Sequence, residues 1–274
     1  MAINFVGQAR IVRELKGIQD ALQRDRNESL NILLRGPAGC GKTKLAQEFC
    51  KPFGKHAYQI IEKDFVLTES TRFQIIDEIH MLKNYEQIYE YMDAEVFVFI
   101  FCTTDSGILS DPFSSRCLQF TFDEYSEDEI AKIAYAYSLE IKLNMAMDTA
   151  KLIARMSRGS PRFAKNYVKR IRFMIMSGYH PMTLGGVKSA FKEIGVYNGG
   201  YTAIDMSYLN FIQKVGTTSL KMISRSIKVD EDTIKNEIEP FLIEKGHIQI
   251  SSRGRKFLSW ETGEENGRKI LTGI

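Results

Sequence analysis

Residues 30–43 read LNILLRGPAGCGKT, and no other segment says more about the fold of this chain. It joins an apolar run to a glycine-rich turn of the pattern GxxxxGK(S/T), which lies between a strand and a helix. Residues 30–34 predict the buried strand and residues 42–49 predict the helix. Further apolar runs at 73–76 and 96–102 alternate with helical patterns. The sequence therefore predicts a parallel α/β sheet whose functional residues lie at the strand ends.

The glycine-rich turn has the residue types that phosphate binding requires. Glycines let the backbone curl so that its N–H groups face phosphate oxygens, and the helix N-terminus adds partial positive charge. We expect Lys42 to reach the β- and γ-phosphates and the Thr43 hydroxyl to bind Mg²⁺. The nucleotide-binding candidates in this turn are Gly36, Pro37, Ala38, Gly39, Cys40, Gly41, Lys42 and Thr43.

Two carboxylates follow the apolar run at residues 73–76. Asp77 is expected to hold Mg²⁺ through its coordination shell, and Glu78 to polarise the attacking water as a general base. Together with the phosphate loop, this pair predicts nucleotide hydrolysis. No N-K-x-D sequence that would read guanine follows, so ATP with Mg²⁺ is favoured over GTP.

Composition excludes several classes of protein. The 274 residues are 44% hydrophobic and 26% charged, which argues against a disordered chain, a collagen-like fibre or a disulfide mini-protein. No apolar run reaches the roughly 18 residues that a membrane span needs, and the N-terminus lacks a secretory signal pattern. The cysteines have no metal-ligand spacing, so reduced thiols and a cytoplasmic location are expected.

Charge is unevenly distributed along the chain. The net charge of +3 does not by itself indicate a nucleic-acid partner. Residues 149–192, however, contain no acidic residue and many lysines and arginines. A solvated helix face is one interpretation of this run. Contact with nucleotide phosphates or a nucleic-acid backbone is the other, because solubility faces usually mix the two signs.

The hydrophobic pattern changes after residue 122. From there to about residue 196 the chain is helical with short breaks, and a glycine-containing linker follows at 198–200. Three short helices and an alternating segment around 251–254 then predict a winged helix. We expect an ATPase domain at 1–122, a helical lid at 123–198, a DNA-binding winged helix at 203–260 and a flexible tail at 261–274.

The acidic pair Asp77-Glu78, with Thr103-Thr104 ending the next strand, resembles the AAA+ ATPases. The resemblance implies that Phe5 and Val6 contact adenine. It also implies that Thr104, or Thr103, is the sensor 1 residue that helps to place the attacking water.

Two arginines extend the AAA+ resemblance. Arg116, after residues 112–115, matches the arginine finger given to the ATP of a neighbouring subunit. Arg162, in the run 159–162, resembles the sensor 2 arginine that contacts the γ-phosphate from the lid. Charge spread over phosphoryl oxygens suits a planar cation with several donors. A finger supplied in trans also implies a homo-oligomer.

The C-terminal part resembles the RuvB family of Holliday junction branch-migration motors, at residues 232–246 and 252–255. The lid resembles it at 159–172 and 182–196. By the family's pattern, Arg253 and Arg255 on the wing touch the DNA backbone, although a solvated turn is the alternative. The preceding helix is acidic, so DNA contact should come from the wing and be salt-sensitive.

The chain departs from the RuvB pattern in two places. The family has a protruding β-hairpin that docks on the junction-binding protein RuvA, whereas residues 79–95 here predict a single helix. A RuvA partner is therefore doubtful. The run 115–120, with Thr103 and Thr104, is similar to the finger and sensor 1 segments of sliding-clamp loaders, which form five-subunit rings.

Three functions remain open at this point. The first is an oligomeric motor, such as a hexameric ring, that uses ATP to translocate duplex DNA or migrate branched DNA. The second is a pentameric clamp-loader subunit for replication, and the third is a DNA-binding regulator that ATP assembles. The winged helix favours the first or third, whereas the run 115–120 and the missing hairpin favour the second. The complete set of catalytic candidates argues against the third. We therefore prefer the motor.

Overall fold

The computed structural model describes residues 3–54, 56–62, 66–67, 70–82, 87–104 and 107–259. It divides into two compact units, Met1–Glu129 with Ser160–Arg162, and Ile130–Gly159 with Phe163–Ile274. The expected flexible tail at 261–274 lies outside the described residues. No helix in the described part of the chain is long and apolar enough to cross a membrane.

The first unit contains a five-stranded parallel sheet with the order β2-β3-β4-β1-β5. Its strands are β1 (Leu30–Arg35), β2 (Tyr58–Ile61), β3 (Phe73–Ile76), β4 (Val98–Thr103) and β5 (Leu118–Thr121). The predicted parallel α/β sheet is confirmed. Strands β2 and β5 have no counterpart in the prediction, because each is four residues long and buries only one of them.

Helices of the first unit pack against this sheet. They are α1 (Ala9–Arg24), α2 (Lys42–Cys50), α3 (Ile88–Asp93) and α4 (Asp111–Ser115), with 3₁₀ turns at Lys51–Phe53 and Ile79–Met81. The amide of buried Gln19 donates to the Phe49 carbonyl at 2.7 Å, which ties α1 to α2. Apolar residues that α3 and α4 supply, Ile88 and Phe113, join Phe99 and Phe101 of β4 in one core. This packing fixes the strand ends that carry the candidate site.

The expectation of one helix over residues 79–95 is wrong. A 3₁₀ turn ends at Met81, Leu82 has an extended backbone, and α3 begins only at Ile88. Ile79, Leu82 and Ile88 all enter the apolar core, and the extended Leu82 interrupts the helical path between them. No strand occurs between β3 and β4 among the residues described there, which omit 83–86.

The second unit is mostly helical, and its described part ends in a β-hairpin. Its lid part contains most of α5 (Glu127–Glu140), then α6 (Met147–Met156), most of α7 (Pro161–Met176) and α8 (Leu184–Glu193). After a 3₁₀ turn at Asn198–Gly200 come α9 (Ala203–Val215), α10 (Leu220–Ile227), α11 (Glu231–Thr233), a π-helical segment (Ile234–Ile238), α12 (Glu239–Glu244), β6 (Ile248–Ser251) and β7 (Gly254–Phe257).

Helices α9 to α12 bury one apolar cluster beneath the hairpin, with Tyr208, Leu209 and Ile223 at its centre. Strands β6 and β7 pair antiparallel and turn between Ser251 and Gly254. Residue Thr218 forms a further antiparallel bridge with Arg255 of β7. This arrangement is the predicted winged helix, with the hairpin as its wing.

Candidate functional site

The phosphate loop connects β1 to α2, as the motif predicts. Gly39 and Gly41 adopt left-handed backbones, with φ of 78° and 100°. A Cβ atom on Gly41 would lie 3.1 Å from Phe5 Cζ, so a side chain there would be both strained and crowded. The loop therefore depends on glycine to curl its N–H groups around an anion.

Lys42 points back into this loop. Its Nζ donates to the carbonyl of Gly36 at 2.8 Å and to that of Pro37 at 3.1 Å, and the residue is only 5% exposed. Both acceptors are neutral, so the positive charge of Lys42 stays available to an anion held in the loop. Cys40 is buried beside it, and burial raises the pKa of its thiol, which disfavours a thiolate.

The two candidate magnesium ligands lie next to each other. The Thr43 hydroxyl donates to Asp77 Oδ2 at 2.8 Å. The backbone N–H of Asp77 donates to Ile61 O at 2.9 Å and continues the pairing of β3 with β2. No cluster of three or more histidine, cysteine, aspartate or glutamate side chains suited to a metal exists among the described residues. Mg²⁺ usually binds through one or two protein oxygens and takes its other ligands from phosphate and water. Thr43 and Asp77 fit an ion bound in this way.

Glu78 is held beside the end of β4. Its backbone is left-handed, with φ of 47°, which is unusual for a residue with a side chain. Glu78 Oε2 accepts hydrogen bonds from the Thr104 backbone N–H and hydroxyl, both at 3.0 Å. The Nδ1 atom of His80 lies 3.0 Å from the Thr103 hydroxyl and 3.4 Å from Glu78 Oε2. Of the two sensor 1 candidates, it is Thr104 that contacts the proposed base.

Aromatic residues close the other side of the loop. The ring of Phe5 packs edge-on against Phe122 at 6.3 Å between centroids, and Val6 is half-buried beside it in the chain. The hydroxyl of Tyr125 donates to the Cys40 carbonyl at 2.7 Å, and burial raises the pKa of that hydroxyl so that it remains a donor. Tyr125 is absent from the predicted site because no motif marks it.

The finger candidate Arg116 lies just beyond α4 in an exposed ion pair. Its Nε and Nη2 donate to the two carboxylate oxygens of Asp93 at 2.9 and 3.3 Å, and its guanidinium lies 5.0 Å from the centre of the Tyr89 ring. The hydrogen bond from Arg116 lowers the pKa of Asp93. Exposed pairs of this kind are weak, so the arginine can exchange Asp93 for another anion.

The sensor 2 candidate Arg162 belongs to the same unit as the loop. A Cβ atom built on Gly39 would lie 2.6 Å from Arg162 Cβ, so the backbone of the loop approaches this arginine closely. The side chain of Arg162 is exposed. The structure thus brings Arg162 to the loop, whereas Arg116 is held at Asp93.

The two wing arginines have different surroundings. Arg253 is exposed at the turn of the hairpin, where its backbone N–H donates to Ser251 Oγ at 3.2 Å. Arg255 instead donates to both carboxylate oxygens of Glu239, at 2.9 and 3.2 Å, and this contact raises its pKa. Tyr208 donates to the same carboxylate at 2.9 Å.

These contacts give Arg255 a partner within the protein. Its side chain is 17% exposed and that of its partner Glu239 is 3% exposed, so the pair links the wing to α12 inside the winged helix. DNA contact stays a prediction for both Arg253 and Arg255, and of the two it is Arg253 that is exposed. Lys256, the next residue in β7, is exposed and points away from Arg255 because side chains alternate along a strand. The alternation of side chains along a strand would have identified Lys256 as an outward-facing cation from the sequence alone.

Comparisons with known proteins agree along most of the chain. A family model described as the RuvB AAA lid domain matches residues 125–196, and one described as the RuvB C-terminal winged helix domain matches residues 198–259. The Holliday junction branch migration complex subunit RuvB of Campylobacter hominis is 31% identical, with 92% of this chain and 85% of the relative aligned. That of Helicobacter pylori strain HPAG1 is 30% identical, with 92% and 86% aligned.

A solved structure gives the same result. The Thermotoga maritima RuvB Holliday junction branch migration motor superposes with a TM-score of 0.77 at 25% identity, over 93% of each chain. A lysine-to-arginine variant of that protein has a TM-score of 0.78 at 25% identity, also over 93% of each chain. The likeness therefore includes the sheet, the lid and the winged helix.

Proposed function

Since this chain belongs to the RuvB family of AAA+ proteins, we propose that it is an ATP-hydrolysing motor that drives branch migration of four-way DNA junctions. The observation that carries the proposal is the connected pair of contacts at the strand ends. Thr43 meets Asp77, and Glu78 meets Thr104, directly beside a phosphate loop in a chain that also has a winged helix. Together these residues supply what hydrolysis needs: a loop that binds phosphate, a pair of metal ligands and a positioned base.

ATP with Mg²⁺ is the nucleotide we assign to this loop. Lys42 and the loop N–H groups hold the phosphates, and Thr43 and Asp77 hold the ion. Bound Mg²⁺ neutralises charge that develops on the phosphate oxygens. Glu78 takes the proton of the attacking water, and its two bonds from Thr104 aim the carboxylate. Phe5 and Val6 are the residues we assign to adenine.

DNA is engaged by the wing in this proposal. Arg253 at the turn and Lys256 on β7 are exposed, so they can approach a phosphate backbone, duplex or branched. Arg255 holds the wing in place through Glu239. Contacts of this kind are sequence-independent and weaken as salt increases.

The domain division that we propose is an ATPase domain at 1–122, a lid at 123–198 and a winged helix at 203–260.

The working form is an oligomer, because Arg116 completes a neighbour's site in this scheme. A hexameric ring follows from the motor, and a pentamer would follow from a clamp loader. The likeness over lid and winged helix favours the motor. RuvA is not the partner we propose, since the residues described between β3 and β4 form no hairpin.

We place the protein in the cytoplasm, where its four free cysteines stay reduced.

ATPase rates with different DNAs test this proposal. The rate is measured with protein alone, with linear duplex, with a four-way junction, and with primed template plus a sliding clamp. The proposal expects stimulation by duplex or junction without a clamp, and none in Lys42→Ala. Stimulation that requires both primed template and clamp would replace the motor with a clamp loader.

A further inference from the structure

Arg158 occupies the turn between α6 and α7, four residues before the sensor 2 candidate Arg162. Its backbone is left-handed, with φ of 50°, and Gly159 beside it is also left-handed, with φ of 65°. An arginine pays a conformational cost in this region that glycine does not. The position therefore holds an arginine for what its side chain reaches.

The side chain of Arg158 reaches the winged helix at three places. Its Nε donates to Gly200 O at 2.8 Å, in the 3₁₀ turn that links lid and winged helix. Its Nη2 pairs with Asp205 in the first turn of α9. Its guanidinium lies 3.9 Å from the centre of the Phe241 ring in α12. One planar cation thus contacts the linker and the first and last helices of the winged helix.

This contact is buried and specific. The side chains of Arg158 and Asp205 are 10% and 1% exposed. Asp205 Oδ2 also accepts from the backbone N–H and the hydroxyl of Thr202, whereas its buried Oδ1 has no hydrogen-bond partner. Arg158 is therefore the cation that balances this buried carboxylate, and loss of one partner in such a pair is costly.

The linker itself is shaped around Arg158. Gly200 has φ of 84°, and a Cβ atom there would lie 2.7 Å from Met156 O and 3.0 Å from Arg158 Cγ. Since no side chain fits between them, the linker backbone lies directly on the end of α6. A flexible connection between two independent domains would not need this contact.

We infer that Arg158 is a positioning residue that locks the winged helix to the lid, so that the two move as one body when Arg162, at the start of α7, responds to nucleotide. The lock itself follows from the contacts within the second unit. Its use in moving DNA rests on the proposed function. The lock needs the arginine fork, because two N–H directions and a planar face are used at once.

A distance measurement tests the lock without reference to activity. Spin labels are placed at the exposed positions Lys151→Cys in α6 and Lys214→Cys in α9, in a Cys117→Ser background because the other three cysteines are buried. The parent protein is expected to give one narrow distance distribution. Arg158→Ala is expected to lose it, and Asp205→Asn, which preserves the side-chain shape, is expected to broaden it.

Lys142→Ala is the matched control, since Lys142 is an exposed cation with a left-handed backbone, φ of 58°, in a turn of the same unit. It should keep the narrow distribution. A narrow distribution in folded Arg158→Ala would overturn the inference. If Arg158→Ala does not fold, the pair Arg158→Gln with Asp205→Asn leaves no unbalanced buried charge, and a narrow distribution there would overturn it equally.

Coupling in the full oligomer is the second measurement. The number of base pairs migrated per ATP hydrolysed should fall about two- to thirty-fold in Arg158→Lys, with basal ATPase unchanged. If Arg158 had a purely structural role, the rate of junction migration and the rate of ATP hydrolysis would instead fall together. If the parent moves no junction, the proposed function fails, and the distance measurement still decides the lock.

Discussion

The unit that holds the phosphate loop and the wing both carry arginine or lysine side chains that we predict to contact phosphate, yet these side chains have different partners in the two regions. Lys42 donates only to neutral loop carbonyls, and Arg116 forms an exposed pair with Asp93. On the wing, Arg255 is bound in an internal pair with Glu239, whereas Arg253 is left at the surface. A cation that serves a ligand keeps exchangeable partners, whereas a cation that serves the fold is buried against a carboxylate.

Arg116 is expected to show the largest effect, because an arginine finger stabilises charge on the transferring phosphoryl group. Arg116→Ala should bind ATP normally and lose about 10³–10⁵-fold in hydrolysis rate. Asp93→Asn, which breaks the same ion pair but keeps the arginine, should retain hydrolysis. Mixing Arg116→Ala with Lys42→Ala should restore part of the rate. Absence of recovery in mixed oligomers would contradict a finger in trans.

Glu78→Gln should follow in size. The amide can keep the bonds from Thr104 but cannot accept a proton, so hydrolysis should fall about 10²–10⁴-fold while ATP still binds. Single-turnover hydrolysis and nucleotide binding are measured separately. Glu90→Gln, an exposed residue of α3, is the control. Normal turnover in Glu78→Gln would remove it as the base.

Lys42→Ala should weaken ATP binding by about 2–5 kcal/mol, since it removes the charge partner that we assign to the phosphates, and this residue is only 5% exposed. Lys44→Ala in the same helix is the control. Lys44 is 50% exposed and its partner Glu48 keeps a second lysine, Lys51. Binding of a fluorescent nucleotide measures both variants. Equal affinities would contradict the assigned role of the loop.

Arg255→Ala should lower the stability of the winged helix. Glu239 would remain buried without its cation, so the winged helix should lose about 3 kcal/mol of unfolding free energy. Chemical denaturation of the full chain measures this. Lys256→Ala, on the exposed face of the same strand, should leave stability unchanged. An Arg255→Ala protein as stable as the parent would mean that the buried pair contributes little.

Arg253→Ala should have the smallest effect, and unlike Arg255→Ala it should change DNA binding and not stability. Stability should be unchanged, while DNA affinity falls similarly for all sequences and the salt dependence decreases by about one phosphate contact. Titration of labelled duplex at several salt concentrations measures it. Unchanged affinity and slope would show that the wing turn makes no phosphate contact.

Sequence patterns predicted the parts of the molecule whose chemistry constrains the backbone. The glycine loop, the Asp77-Glu78 strand end and the hairpin turn all require particular residue types at fixed spacing. Patterns failed where tertiary packing decides. Leu82 lies in the apolar core, but its extended backbone interrupts the predicted helix. Strands β2 and β5 have only one buried residue each, so they show no apolar run. The partner of Arg255, Glu239, lies on a different element and is not marked by any motif. Tyr125 has no motif at all.

We propose that ATP hydrolysis by this chain moves a DNA junction. The most direct test uses a synthetic four-way junction with a fluorescent donor and acceptor on adjacent arms, mixed with the purified protein and ATP. The arms are expected to separate only with ATP and Mg²⁺ present, and not with Glu78→Gln. ATP turnover stimulated by the junction, with the arms still joined, would contradict it.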